Sequence, residues 1–90
     1  MAVTVKLPTQ LRAAAGGSAE EHVEGATVAE VLDGLLARHG ELRDRLFDGG
    51  DLRRFVNVYL GEEDIRFLEG LATPVPEGGQ LTILPAVAGG

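Results

Sequence analysis

The N-terminal part of the chain alternates between apolar and polar residues. Residues 3–7 are apolar at the odd positions and polar at the even positions, and Pro8 follows. Such alternation is typical of a strand with one buried face. Residues 9–15 are predicted to be a connector, and Gly16-Gly17-Ser18 predicts a turn. The polar segment 19–23 predicts a weaker strand, and we expect it to pair with the first strand as a hairpin.

A longer apolar stripe follows at helical spacing. Thr27 and Glu30 form a capping-box pattern, in which the hydroxyl and the carboxylate satisfy backbone amides at a helix start. Apolar residues then recur on one helical face, at Val28, Val31, Leu32, Leu35 and Leu36. Arg38 and His39 lie in the expected last turn, where positive charge is favourable, and Gly40 is the expected stop. The spacing predicts one amphipathic main helix.

The second half of the chain is rich in strand signals. The predicted elements are a short helix at 41–47, strands at 55–60, 65–67 and 81–84, and a loop at 69–79. The resulting order is β-β-α-β-β-β, which favours an α+β roll in which one main helix covers a mixed sheet. Because the first and last strands contain no turn signals, we expect them to be central neighbours. The domain is predicted to span 1–86, followed by a tail at 87–90.

Composition narrows the classes of partner. Ninety residues suit one domain with one modest core, and the net charge of −6 disfavours binding to nucleic acid, whose phosphates need a basic surface. The chain has no cysteine, which excludes disulfides, thiolate nucleophiles and cysteine-bound metals and fits a reducing cytoplasm. No apolar run approaches the roughly 18 residues of a membrane span. We therefore expect a cytoplasmic protein with neither nucleic-acid nor membrane partners.

No internal grouping of residues is typical of an active site. His22 and His39 are the only imidazoles, and both are predicted to lie at the surface. Ser18 is the only serine and lies in a glycine turn, so a Ser-His-Asp arrangement is not indicated. The acidic run 62–64 is typical of a solvated turn rather than of a cation loop, which needs ligands at defined spacing. The chain is thus expected to be neither an enzyme nor a metal or cofactor protein.

The unusual chemical group is the terminal carboxylate of Gly90. Gly89 has no Cβ, so the backbone there can pass through a channel that excludes other residues, while Val87 and Ala88 extend the reach. Six extended residues from Pro85 onward span roughly 20 Å. If another enzyme adenylates the carboxylate, a sulfur donor gives a thiocarboxylate, and a lysine amine gives an isopeptide. Both uses leave catalysis to the partner.

In element order and in ending, the chain resembles the ubiquitin-like (β-grasp) sulfur carriers of the MoaD and ThiS type, and most closely the actinobacterial carriers of the CysO type. The resemblance covers the whole chain. It rests on Arg54–Tyr59, Asp64–Phe67, Gly70–Thr73 and above all on Thr82–Gly90. The fold that this implies is the β-grasp roll.

The resemblance also implies a function. An ATP-dependent activating enzyme of the MoeB/ThiF type would adenylate Gly90, and sulfur would replace the adenylate to give a thiocarboxylate. The carrier would bind no cofactor itself. A sulfur-accepting biosynthetic enzyme would then use the sulfur; in CysO-like systems this is a pyridoxal-phosphate enzyme that makes cysteine, and a metallopeptidase releases the cysteinyl adduct. The predicted docking residues are Leu84, which is expected to face outward, and Leu60 and Arg12, whose places resemble MoaD-type contact positions.

Two alternatives remain open at the level of the sequence. The ending Pro85-Ala86-Val87-Ala88-Gly89-Gly90 is shared in form with molybdopterin-synthase small subunits, although Ile83 and Leu84 replace the phenylalanines associated with that subunit. The same tail also suits a ubiquitin-like protein modifier that is conjugated to lysines through Gly90. The departure at 83–84 favours a general sulfur carrier.

Overall fold

A computed structural model describes residues 2–53 and 56–85 of the chain. The strands are β1 (Val3–Lys6), β2 (Glu20–Val23), β3 (Phe47–Asp48), β4 (Asp51–Leu52), β5 (Val56–Leu60), β6 (Glu63–Asp64) and β7 (Gln80–Pro85). The helices are α1 (Thr9–Arg12), α2 (Val28–Arg38) and α3 (Leu42–Leu46), and 3-10 turns lie at Ala13–Ala15, Ile65–Phe67 and Gly70–Ala72.

The main sheet has five strands in the order β2-β1-β7-β5-β6. β1 pairs with β7 in parallel, with Val5 opposite Leu81, whereas β2 pairs antiparallel with β1, and β5 antiparallel with both β6 and β7. The predicted N-terminal hairpin and the predicted neighbourhood of the first and last strands are both confirmed. The short strands β3 and β4 form a separate hairpin around Gly49 and Gly50.

The core lies between α2 and one face of the sheet. All five apolar residues of the predicted helical stripe are at most 4% exposed, and the inward residues of α3, Leu42 and Leu46, are fully buried. The sheet contributes its inward positions, which are Val3, Val5, Val23, Val56, Val58, Leu81 and Ile83. The predicted α+β architecture, with one main helix on a mixed sheet, is therefore confirmed.

The capping interactions of α2 follow the sequence pattern closely. The Glu30 amide donates to the Thr27 hydroxyl at 3.2 Å, and the Glu30 carboxylate accepts from the amide of Ala26 at 3.0 Å. These bonds satisfy amides that have no partner within the helix. The helix ends at Arg38, and the following residue, His39, donates its amide to the Leu35 carbonyl.

Two local predictions were wrong. The predicted connector 9–15 is helical, because Leu11, Ala14 and Ala15 are buried at i, i+3 and i+4 spacing. The predicted returning strand at 65–67 is a 3-10 turn, and the strand itself is the two-residue β6. The Asp64 carboxylate accepts from the Arg66 amide at 2.8 Å and starts this turn.

His39 also departs from its prediction as a surface residue, whereas His22 is exposed as predicted. The side chain of His39 is only 21% exposed, and its Nε2 lies 3.2 Å from the Glu21 carboxylate. Arg38 lies 3.5 Å from the same carboxylate. Hydrogen bonds from Ser18 and then from His39 lower the pKa of Glu21. This cluster ties the end of α2 to the edge strand β2.

The Glu21 cluster predicts a pH-dependent contribution to stability. Glu21→Gln is expected to lower the free energy of unfolding at neutral pH by roughly 1 kcal/mol, because a charge-assisted hydrogen bond is replaced. The folded pKa lies below the ordinary value of 4.5, so the advantage of the carboxylate is full above 4.5 and is lost as pH falls through the folded pKa. Urea unfolding of the wild type and of Glu21→Gln, from neutral pH down to below the folded pKa, measures the difference in the free energy of unfolding. A deficit of the variant that is independent of pH would contradict the assignment.

Gly34 marks a close approach between α2 and β2. A Cβ built at this position would lie 2.6 Å from Cγ1 of Val23, a stiff and buried side chain. Gly34→Ala is therefore expected to lower the free energy of unfolding by about 1–2 kcal/mol, since overpacking outweighs the gain in helix propensity. Chemical denaturation provides the measurement. In a Val23→Ala background, Gly34→Ala should no longer lower the free energy of unfolding. An equal decrease in both backgrounds would refute the clash.

Candidate functional site at the end of the last strand

Strand β7 holds the root of the tail in the middle of the sheet. It lies between β1 and β5, and its last paired residue, Pro85, is opposite Val56. Residues 86–90 lie outside the described residues. The roles predicted for Val87, Ala88, Gly89 and Gly90, and the domain boundary after residue 86, therefore stay predictions. The structure nevertheless fixes the point from which the tail starts.

The side chains of β7 alternate between the core and the surface, as predicted. Leu81 and Ile83 are at most 1% exposed, whereas Leu84 is 42% exposed on the outer face of the sheet. Leu84 pairs with Asn57 of β5. An apolar side chain is thus presented on the outer face directly before the tail. Its role in docking a partner stays a prediction.

Leu60 does not join Leu84 in one patch. It pairs with Leu81 at the other end of the β5–β7 ladder, three positions away from the pair of Leu84. It is half-buried and packs against the core, on the opposite face of the sheet from Leu84. A partner that touches Leu84 on the outer face therefore meets a different surface from one that touches Leu60.

Arg12 lies in α1, which follows the C-terminal end of β1. Its side chain is half-buried, and its Nε donates to the carbonyl of Leu7 at 3.1 Å. Since β1 runs parallel to β7, with Lys6 opposite Thr82, this arginine lies at the end of the sheet from which the tail leaves. The guanidinium is used at least in part to hold α1 against the strand end.

An apolar cavity that the sequence pattern did not indicate lies beside the root of the tail. It has a volume of about 320 Å³ and lies between α1, α3 and the ends of β5 and β7. Leu11, Val56 and Ile83 contribute the apolar lining, and Asp44 and Arg53 are among the polar residues at its rim. Residues from four separate elements meet here, so local periodicity alone does not reveal the cavity.

Positive charge also gathers at this end of an acidic molecule. Arg45 and Arg53 border the cavity, and Arg53 donates from Nε to the carbonyl of Asp44 at 2.8 Å. Arg66 donates from Nη2 to the carbonyl of Val56 at 2.8 Å. Arg53 directly follows β4, while Arg54 lies outside the described residues. Three arginines, together with Asp44, therefore lie near the root of the tail.

Within residues 2–53 and 56–85, no group of three or more His, Asp or Glu side chains is arranged to hold a metal ion. None of the helices in that part of the chain is long and apolar enough to cross a membrane. What the described residues assemble is a rigid platform, with an apolar side chain, an apolar cavity and arginines around the start of the tail.

Comparison with known proteins extends this picture to the whole chain. The family model described as the ThiS family matches residues 5–90. The sulfur carrier protein CysO of Mycobacterium tuberculosis is 46% identical over 93 residues, covering all of both chains. Small archaeal modifier protein 3 of Haloferax volcanii is 36% identical over 67 residues, covering 74% of this chain and 73% of that protein.

The fold is likewise that of a solved carrier. In the crystal structure of the Amycolatopsis orientalis BexX/CysO complex, a chain with 49% sequence identity superposes with a TM-score of 0.91, covering 98% of this chain and 99% of that one. The mixed sheet with its main helix is therefore the β-grasp roll that the resemblance predicted. With the family model matching nearly the full length, the chain belongs to the ThiS family.

Proposed function

We propose that this chain is a sulfur carrier protein whose Gly90 carboxylate is adenylated by an activating enzyme and converted to a thiocarboxylate. The chain acts as a protein co-substrate, and its partners supply the catalysis. The observation that carries the proposal is the full-length similarity to the CysO carriers, within a family match that extends to residue 90. The absence of cysteine supports it, because no thiol of the carrier competes for the sulfur.

The chemistry proceeds in two balanced steps. In the first, an oxygen of the Gly90 carboxylate attacks the α-phosphorus of ATP, which gives the acyl-adenylate and releases pyrophosphate. In the second, a sulfur nucleophile attacks the acyl carbon, and AMP leaves with the carboxylate oxygen. With hydrosulfide as the nucleophile, the product is the Gly90 thiocarboxylate. No cofactor bound to the carrier takes part, and the activating enzyme uses the ATP.

The platform at the end of β7 supports this role physically. Ordering tail residues in a partner's channel costs roughly 1–2 kcal/mol per residue, and more for glycine. Contacts made by the folded domain have to offset that cost. We propose that Leu84, at 42% exposure beside the root, and Arg45 and Arg53, which border the cavity on the inner face, make such contacts. The partners are an activating enzyme of the MoeB/ThiF type and a sulfur-accepting biosynthetic enzyme, acting in the cytoplasm.

The similarity to the CysO carriers is the basis on which we propose a class of sulfur acceptor. We assign the sulfur to cysteine biosynthesis or to another sulfur-containing metabolite, with a metallopeptidase releasing the product when it forms as a cysteinyl adduct on the tail. In the solved BexX/CysO complex a similar carrier is bound to another protein, which supports the use of separate acceptors. Incubating the thiocarboxylated chain with candidate acceptors and measuring sulfur transfer by mass spectrometry identifies the pathway.

Deletion of Gly90 tests the proposal most directly. The wild-type chain, incubated with its activating enzyme, ATP and sulfide, should gain the mass of one oxygen-to-sulfur exchange, read by intact-protein mass spectrometry. The deletion variant should show no exchange while keeping its far-UV circular dichroism and melting temperature, because Gly90 lies beyond the last paired residue of β7. Sulfur uptake by the folded deletion variant contradicts the proposal, as does the absence of uptake by wild type with an enzyme that activates related carriers.

The clearance predicted at Gly89 gives a second test with an internal control. Gly89→Val adds a branched side chain where the tail passes the activating site, so the rate of adenylation should fall at least tenfold. Val87→Ala shortens a valine side chain at a tail position outside the Gly-Gly pair. This control variant should keep most of the rate of adenylation. The readout is carrier-dependent exchange of pyrophosphate into ATP. Equal rates for the two variants would show that Gly89 does not provide clearance.

A protein-modifier function is the second candidate, and the similarity to small archaeal modifier protein 3 favours it. In that case a lysine amine, rather than sulfide, attacks the activated Gly90. Cells expressing an epitope-tagged chain should then contain conjugates of high mass that disappear on Gly90 deletion and resist reducing agents. A tail-dependent ladder would support conjugation, and the thiocarboxylate alone would support carriage of sulfur only.

The third reading, a molybdopterin-synthase small subunit, predicts a tight complex with the large synthase subunit. The residues before Pro85, Ile83 and Leu84, disfavour it, since that subunit is associated with phenylalanines there. Binding measured by calorimetry with a purified large subunit separates this reading from the carrier function.

A further inference from the structure

The exposed large apolar side chains are unevenly distributed. Among the described residues three are exposed, namely Phe67, Leu68 and Leu84. Leu84 precedes the tail, and the other two lie together in the turn after β6. Phe67 is 85% exposed, which is close to the full surface of a free side chain. The ring therefore contributes almost nothing to the core of its own domain.

The backbone around Phe67 is nevertheless held firmly. The Asp64 carboxylate accepts from the amide of Arg66 at 2.8 Å, and the amide of Leu68 donates to the carbonyl of Ile65 at 3.0 Å. Ile65 is 2% exposed and anchors the turn in the core. Because the backbone of this turn is already ordered, a partner that binds Phe67 has to order only its side chain, which lowers the entropic cost of binding.

Phe67 follows β6, which pairs with Tyr59 and Leu60 at the end of β5 away from the root of the tail. The 65–67 turn contacts β5, and Arg66 donates from Nη2 to the carbonyl of Val56 at 2.8 Å. Val56 in turn is opposite Pro85, the last paired residue of β7. With strands about 4.8 Å apart, β6 lies about 10 Å from β7 across the sheet. One partner surface can therefore cover both the root of the tail and the turn that carries Phe67.

The surroundings of Phe67 are acidic. Residues 62–69 contain four carboxylates, at Glu62, Glu63, Asp64 and Glu69, against one arginine, Arg66. A partner surface that accepts the ring is complementary when its apolar pocket is bordered by basic side chains. The acidic net charge of the chain would steer such a partner toward it, more strongly at low ionic strength.

We propose that Phe67 is a second docking contact, separate from the tail and from Leu84, which inserts into an apolar pocket with a basic rim on the enzyme that activates Gly90. The inference rests on the proposed function and adds to it a specific anchor. Phe67 fixes the orientation of the domain, so that the tail enters the channel from one direction. It acts in binding and takes no part in the chemistry at the carboxylate.

The test compares Phe67→Ala, Phe67→Leu and a matched control, His22→Ala, in carrier-dependent pyrophosphate exchange with the activating enzyme. His22 is also an exposed ring, but it lies on β2, at the opposite edge of the sheet. We expect Phe67→Ala to raise KM for the carrier about tenfold or more with kcat nearly unchanged. Phe67→Leu should recover part of the loss, and His22→Ala should match wild type. Melting temperatures establish that the variants are folded.

Three outcomes would overturn the inference. The first is a KM for Phe67→Ala within about twofold of wild type while the wild-type chain is adenylated normally, which leaves the proposed function intact. The second is a wild-type dimer in sedimentation that Phe67→Ala dissociates without a change in KM, which assigns the ring to self-association. The third is a wild-type chain that no activating enzyme adenylates, which removes the proposed function together with the contact.

Discussion

The structure depends on the pairing of β7 with β1 on one side and β5 on the other. This single strand joins the N-terminal hairpin to the β5–β6 pair, and its inward residues Leu81 and Ile83 lie at the centre of the core. Sheet hydrogen bonds on both edges and burial on one face fix its position and register. The tail therefore starts from one of the best supported positions in the molecule.

Much of this arrangement could be predicted because it depends on periodicity. The stripe of α2 and the alternation of β1 and β7 repeat often enough to specify a face, and the outward position of Leu84 followed from that alternation. The neighbourhood of β1 and β7 was expected because neither strand contains a turn signal. The chemistry of the tail could be inferred as well, since it depends on residue identities and not on folding.

The missed features depend on contacts between distant residues. Leu11, Ala14 and Ala15 show helical spacing over only five positions, which is too short to distinguish a helix from a connector. Ile65 and Phe67 alternate as in a strand, but the Asp64 carboxylate turns the backbone and leaves the ring in solvent. The apolar cavity and the partly buried His39 each involve elements far apart in sequence. Local sequence patterns do not show which distant elements contact each other.

The central position of β7 also has a consequence for biosynthesis. During translation every other described element leaves the ribosome before residues 80–85, so the two halves of the sheet have no common partner until β7 emerges. Until then β1 and β5 each present an unpaired edge, which is the kind of surface that promotes aggregation. A chain interrupted shortly before β7 lacks the strand that joins the two halves of the sheet. The sheet that supports the tail therefore becomes complete only when the root of the tail itself has been made.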